Sequence, residues 1–393
     1  MALLARDIGG LVRFLQCPDM IVILFYNSCY HDKAMEKQHL IIICTVVVAV
    51  VLVAAGVAIL MNNGEGGSSG ITVTDARDRT VHLEKTPEEI LAVNCCSLEL
   101  LSYFDAVNKV VAIDKDDALT NDKTYTLAYK AQFSKLNTID RTNVESIIVL
   151  NPDVIITSIV AVEELDKLQK DTGIPVFAIN ADLEFGDEKW FTQLTSLGKL
   201  VGEEKRADTL VNGIKGLIDE IKAKSVSKIN GYTCGMMFYG QGTFLKTSGD
   251  WLPFIYSGVN NVMPPSTSGA GKQPYNTDIE TVMSKDIDYI FIDNSRASAV
   301  VEEMQGYISE AGLINDAITN GEIYNVCLYK KWGTQFDNVL INCFYVAKTV
   351  NPDGYSWSFE EKADAVLKLF YGDGKITYSD MKAAGNGCGK ITL

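Results

Sequence analysis

Two stretches far apart in the chain are built on one pattern. Residues 142–158, TNVESIIVLNPDVIITS, and residues 277–293, TDIETVMSKDIDYIFID, align as Thr142/Thr277, Val144/Ile279, Glu145/Glu280, Ile147/Val282, Asp153/Asp288 and Ile155/Ile290. Each reads as a polar cap, a short helix, an acidic turn and a β-rich apolar run. A helix feeding a buried strand, used twice at wide separation, points to two α/β lobes of similar build. Two such lobes facing one another leave a cleft, which suits a molecule that grips something.

The chain has 393 residues, enough for two domains with their own cores. Its net charge of −15 argues against nucleic acid as a partner, because phosphate binding needs clustered Lys and Arg. The excess of carboxylates is read as a solvated surface that keeps the protein soluble.

Leu40 to Met61, LIIICTVVVAVVLVAAGVAILM, is a 22-residue run without a charge. At about 1.5 Å per residue a helix of that length spans a bilayer core. It runs on into Asn62, Asn63 and GEGGSSG, a flexible tether, so the expectation is an uncleaved single-pass anchor with the large domain outside the cell. Met35 opens a more natural export segment than Met1, and residues 1–34 are read as an artefact of the assigned start. The expected organisation is an N-terminal segment 1–39, the anchor 40–61, a linker 62–70, a first lobe 71–186, an interlobe helix region 187–226, a second lobe 227–372 and a tail 373–393.

Within the outer domain, ITVTDARDRTVHLE (71–84) alternates as a hairpin does. Strands at 90–93, 109–113, 154–157 and 175–179 separated by helices give a β-α-β rhythm, and hence a parallel sheet with helices on both faces. Residues 187–224 carry the longest helical signal. A second α/β region follows, with strands at 232–239, 288–293 and 323–328. Six cysteines fall in this domain, Cys95, Cys96, Cys234, Cys327, Cys343 and Cys388; without a CxxC pair they are read as free buried thiols.

These residues resemble a known family, the substrate-binding proteins of ABC importers for iron complexes and cobalamin. The opening ITVTDARDRTVHLEKTPEEILAVNCCSLELLSYFDAVNKVVAID, the element NVESIIVLNPDVIIT, the helix entry SLGKLVGEEKRADTLV and the C-terminal WGTQFDNVLINCFYVAKTVNPD occur in the family's order, over about residues 71–372. The resemblance implies two Rossmann-like lobes joined by a rigid interlobe helix, with limited closure on ligand. It implies an iron chelate, haem or corrinoid as ligand, and an ABC permease with its ATPase as partners of a monomeric prokaryotic receptor of archaeal type. An acidic residue on each lobe would meet the permease: Glu99 matches the first-lobe position, and Asp250 is the second-lobe candidate.

Ligands of open α/β sheets bind beyond the carboxyl ends of the strands. That rule nominates Cys95, Ser97, Asp114 and Ser158 in the first lobe, and Tyr239, Asn294, Lys331 and Trp332 in the second. Flat chelates and corrin rings suit aromatic faces, which adds Trp251, Tyr256 and Tyr275. Arg296 and Lys331 are expected to pair with an anionic chelate. Of Cys95 and Cys96, adjacent on an extended chain, one thiol would face the cleft and could ligate iron. An enzyme is not expected: His82, in the opening hairpin, is the outer domain's single histidine, which leaves no basis for a His-centred triad. The alternatives are a surface-anchored subunit of a nitrogenase-like or other oxidoreductase, and a sensory ectodomain of the same fold.

Overall fold

The computed structural model describes residues 70–104, 106–118, 123–236, 243–266 and 273–393. Residues 1–69, with the apolar run 40–61, lie outside them, as does Tyr239. Among the described residues no helix is long and apolar enough to cross a membrane.

The described chain enters through an antiparallel hairpin, β1 (Ile71–Thr74) and β2 (Thr80–Leu83). Asp75 makes its turn. The Asp75 carboxylate accepts the amides of Arg77 (2.9 Å) and Arg79 (3.0 Å), and also that of Ala178 (3.1 Å) in the adjoining sheet. That sheet comprises β3 (Ile90–Val93), β4 (Val110–Asp114), β5 (Thr138–Ile139), β6 (Val154–Thr157) and β7 (Val176–Ala178). They are ordered β5-β4-β3-β6-β7 and all parallel. Every residue of β3, β6 and β7 is buried. This is why they read as continuous apolar runs with no alternation: helices cover both faces of a parallel sheet.

Two helices, Glu188–Val201 and Glu204–Lys222, then carry the chain across, and Gly202 ends the first with φ of 80°. The expected single spacer is thus a pair. Gly198 allows the two to pack closely, since a Cβ there would stand 2.5 Å from that of Ala207.

The second sheet takes in β8 (Asn230–Cys234), β10 (Asn260–Asn261), β12 (Tyr289–Asp293), β13 (Ile323–Val326) and β14 (Gly389–Lys390), ordered β10-β8-β12-β13-β14. Its pairings are parallel apart from antiparallel β14. Beside it β9 (Lys246–Thr247) pairs with β11 (Tyr275–Asn276). Residues 373–393, expected to trail beyond the second lobe, instead supply a short helix, Tyr378–Ala383, and this edge strand.

One hydrophobic cluster runs through both lobes. Its spine is the helix Phe336–Val350, buried at twelve of its positions. The Phe336 ring lies 5.3 Å from that of Trp190, and Arg206 donates to the carbonyls of Tyr103 (2.9 Å) and Phe370 (2.9 Å). A core shared this widely resists large rigid-body opening of the lobes.

Candidate functional site

The carboxyl ends of both sheets converge on a cavity of about 340 Å³. The first lobe contributes the loop after β7, from Ala181 to Lys189; the second contributes Met236 after β8, Ser248–Asp250, and Tyr329–Lys330 after β13. Four carboxylates, Asp182, Glu184, Asp187 and Asp250, face two cations, Lys189 and Lys330. Asp187 also caps its helix by accepting the amide of Trp190 at 2.7 Å. Lys330 donates to Gln273 (3.0 Å), and burial lowers its pKa below the usual lysine range.

The lobes touch beside the cavity through two strained turns. Cys96 holds φ of 62° at the start of the Ser97–Ser102 helix; opposite it, Trp332 holds φ of 54° and Gly333 101°. A Cβ on Gly333 would fall 2.3 Å from the Cys96 sulfur, so only glycine lets these turns meet. The Arg141 guanidinium lies 4.9 Å from the Trp332 ring, a second contact across the gap. Cys95 is half-buried, with its sulfur 3.3 Å from the Ser158 hydroxyl. Hydrogen bonding from the Cys96 thiol, opposed by burial, brings Cys95 down to about 6 and pushes Cys96 up. Of the two thiols, Cys95 is the one whose thiolate the surroundings favour. All six cysteines of the described residues are free, and two of them, Cys95 and Cys388, are only partly buried.

Several expected ligand contacts belong to the frame instead. Asp114 is fully buried; it accepts the Asn94 amide (3.0 Å) and the Arg141 guanidinium (3.1 Å), which locks the β3 and β4 ends together. Ser97 is fully buried. Trp251 is fully buried too, its ring packed on Phe254 at 4.7 Å and Phe291 at 6.0 Å, because the residue opens a short apolar helix pressed on the sheet. Tyr256 is buried and donates to the Phe185 carbonyl (3.0 Å), while Tyr275 donates to that of Pro264 (2.7 Å). Asn294 bonds the Gly385 carbonyl, and Arg296 and Lys331 are not among the residues lining the cavity. Ser158, Cys95 and Trp332 stand at the lobe junction, and Tyr239 lies outside the described residues.

Neither acidic position assigned to a permease is on an outer face. Glu99 is fully buried, and its Oε1 accepts the Tyr103 hydroxyl (2.6 Å) and the Phe336 amide (2.7 Å). It caps the second lobe's central helix from the first lobe. Burial, then the nearby Asp337, push its carboxyl well above the usual range. Asp250 lines the cavity. Sequence reasoning missed the loop 181–189 and Tyr329–Lys330. The carboxyl-end rule finds both when it is applied to β7 and β13.

Residues 90–326 match the periplasmic binding protein family, which bears out the resemblance read from the sequence. The chain is 28% identical over 165 residues to the uncharacterized ABC transporter substrate-binding lipoprotein YvrC of Bacillus subtilis, an alignment covering 40% of this chain and 49% of that one. The chain thus spans about half the length of this curated relative. Among solved structures, an ABC transporter solute binding protein from Sulfurospirillum deleyianum superposes with a TM-score of 0.59 at 20% identity, covering 80% of this chain and 98% of that one. The periplasmic protein MolA of Haemophilus influenzae, bound to molybdate, superposes with a TM-score of 0.58 at 18% identity, covering 78% and 98%. At such identities the likeness concerns the fold.

Proposed function

The chain belongs to the periplasmic binding protein family, and from that premise we propose that it is the extracytoplasmic substrate-binding component of an ABC importer. Its ligand on this reading is a compact metal chelate of the iron-complex class, which it hands to a permease powered by a separate ATPase. The observation that carries the reading is the cavity of about 340 Å³ framed by the carboxyl ends of both sheets. Its size suits a small chelate better than a corrinoid with its nucleotide tail. Its four carboxylates against two lysines favour a neutral or cationic complex over the anionic chelate expected from Arg296 and Lys331. The residues supply contacts, with no bond made or broken; the relatives are named as binding proteins. The apolar run 40–61 serves, in this reading, to tether the lobes at the outer face of the membrane.

Thermal denaturation of the purified full-length protein against ferric hydroxamate complexes, haemin and cyanocobalamin tests the proposal. An iron chelate should raise the melting temperature with concentration, as for any ligand that binds only the native state. Asp250→Ala should blunt that rise. If none of the three classes moves the transition, the assignment to chelate import fails.

A further inference from the structure

Cys327 directly follows β13, and Cys388 stands one residue before β14. Their sulfurs lie 3.3 Å apart. We propose that these two thiols are a disulfide-forming pair, which staples the C-terminal edge strand to the sheet when the protein meets a disulfide oxidant.

The surroundings hold the two sulfurs face to face. Leu328 donates its amide to the Asn386 side chain (2.8 Å), Cys388 donates its amide to the Tyr378 hydroxyl (2.7 Å), and Cys327 donates its amide to the Asn342 side chain (2.8 Å). Closing to a bond of about 2.05 Å needs a small rotation of each side chain. β14 is a short antiparallel edge: it pairs through Tyr324–Lys390 and Asn325–Gly389, with the Ile391 amide on the Ile323 carbonyl (2.8 Å) and Lys390 on Glu322 (3.2 Å), and a covalent tie would reinforce that hold. The staple would also fix the start of Tyr329–Lys330, which line the cavity.

Exposure sets the order of events. Cys388 is partly exposed, whereas Cys327 is fully buried and its thiol is pushed up by that burial. Cys388, as thiolate, attacks a low-molecular-weight disulfide and expels one thiolate. Cys327 then gives up its proton, and its sulfur attacks that of Cys388, releasing the second thiol. The two protein thiols lose two electrons and two protons, and the small disulfide is reduced to two thiols.

The test is a peptide map. Full-length protein is incubated with oxidised glutathione, alkylated and digested without reduction. The expected product joins the peptides carrying Cys327 and Cys388. Reductant should then lower the melting temperature of the oxidised protein by about 5 °C, as for a bond closing a long loop, and should leave Cys388→Ser unmoved. Recovery of both residues as alkylated thiols, or either one joined to a different cysteine, overturns the proposal. The map uses the unaltered chain and so decides the matter even if Cys388→Ser does not fold.

Discussion

At the amino end of β6, Asp153 accepts the amides of Glu88 (2.7 Å) and Glu89 (3.0 Å), just before β3 begins. At the amino end of β12, Asp288 accepts the amide of Asn230 (2.7 Å), where β8 begins. In both lobes the same aspartate also donates its own amide to the neighbouring strand, to Glu89 at 2.7 Å and to Asn230 at 2.9 Å. The caps repeat as well: Asn143 accepts the Ser146 amide and Asp278 that of Thr281. The carboxyl ends diverge. β6 finishes on Thr157, which accepts the Asn94 side chain (2.9 Å), whereas β12 finishes on a buried aspartate, Asp293, holding the amides of Ser295 (2.9 Å) and Tyr329 (2.8 Å). What was kept between the copies is the frame that registers adjacent strands. What changed lies at the ends that face the cavity.

A departure from symmetry is Glu99, a carboxyl that the first lobe lends to the second. Glu99→Ala would orphan the Phe336 amide and the Tyr103 hydroxyl in a dry core, each worth about 1–3 kcal/mol. A loss of about 4 kcal/mol in urea unfolding at pH 7 is expected. Glu99→Gln keeps an acceptor for both donors and removes a charge the site disfavours, so its loss should stay below about 1 kcal/mol. Equal losses for the two variants would show that charge, and not acceptance, is what the bridge supplies.

Asp293 offers the next largest effect, again by contrast with the other lobe. Asp114 ends β4 in an ion pair with Arg141, while Asp293 meets no cation among the described residues, and burial raises its carboxyl to about 6. An unfolded aspartate titrates near about 3.9. Between these values the folded protein keeps a proton that the unfolded chain has released. Stability therefore falls as pH rises from about 4 to about 6, by up to about 3 kcal/mol, and changes little through this group above that. Asp337, raised by burial to about 6, adds a descent of the same sign. Asp293→Asn should remove its share alone, so the difference between wild-type and variant unfolding curves should track pH over that window. A difference independent of pH would place the carboxyl's titration elsewhere.

Much of this frame was legible in the sequence, and the parts that were not share a cause. The repeat, the hairpin and the parallel sheets follow from local periodicity, since a buried strand shows itself in its own residues. Exposure of a polar side chain does not. Glu99 sits in ELLSYF, an ordinary helix-face glutamate by pattern, and only the arrival of Phe336 from 237 positions away makes it a buried cap. Trp251, by its aromatic ring, and Asp114, by its place at the carboxyl end of a strand, both read as ligand contacts, and long-range packing assigns both to the frame. The cavity wall suffered the opposite error. The loop from Ala181 to Lys189 has no cysteine and a single aromatic, the buried Phe185, and its place is fixed by β7 ending at the edge of the first sheet.

The shared clamp itself gives the smallest and most exacting test. Asp153→Ala removes an acceptor from two amides and Asp288→Ala from one, while the backbone pairing of each residue survives the substitution. Charge-assisted bonds of this kind contribute about 1.5–3 kcal/mol when buried, and less at these half-buried positions. Losses of about 2 kcal/mol for Asp153→Ala and about 1 kcal/mol for Asp288→Ala are expected. Asn at either position retains one acceptor oxygen and should recover about half of each loss. The two clamps serve different sheets and share no partner, so the double variant should lose the sum. A double-variant loss well short of that sum would mean that the amino ends of the two sheets are coupled through the common core. The repeat would then act as one frame, and not as two copies of a local device.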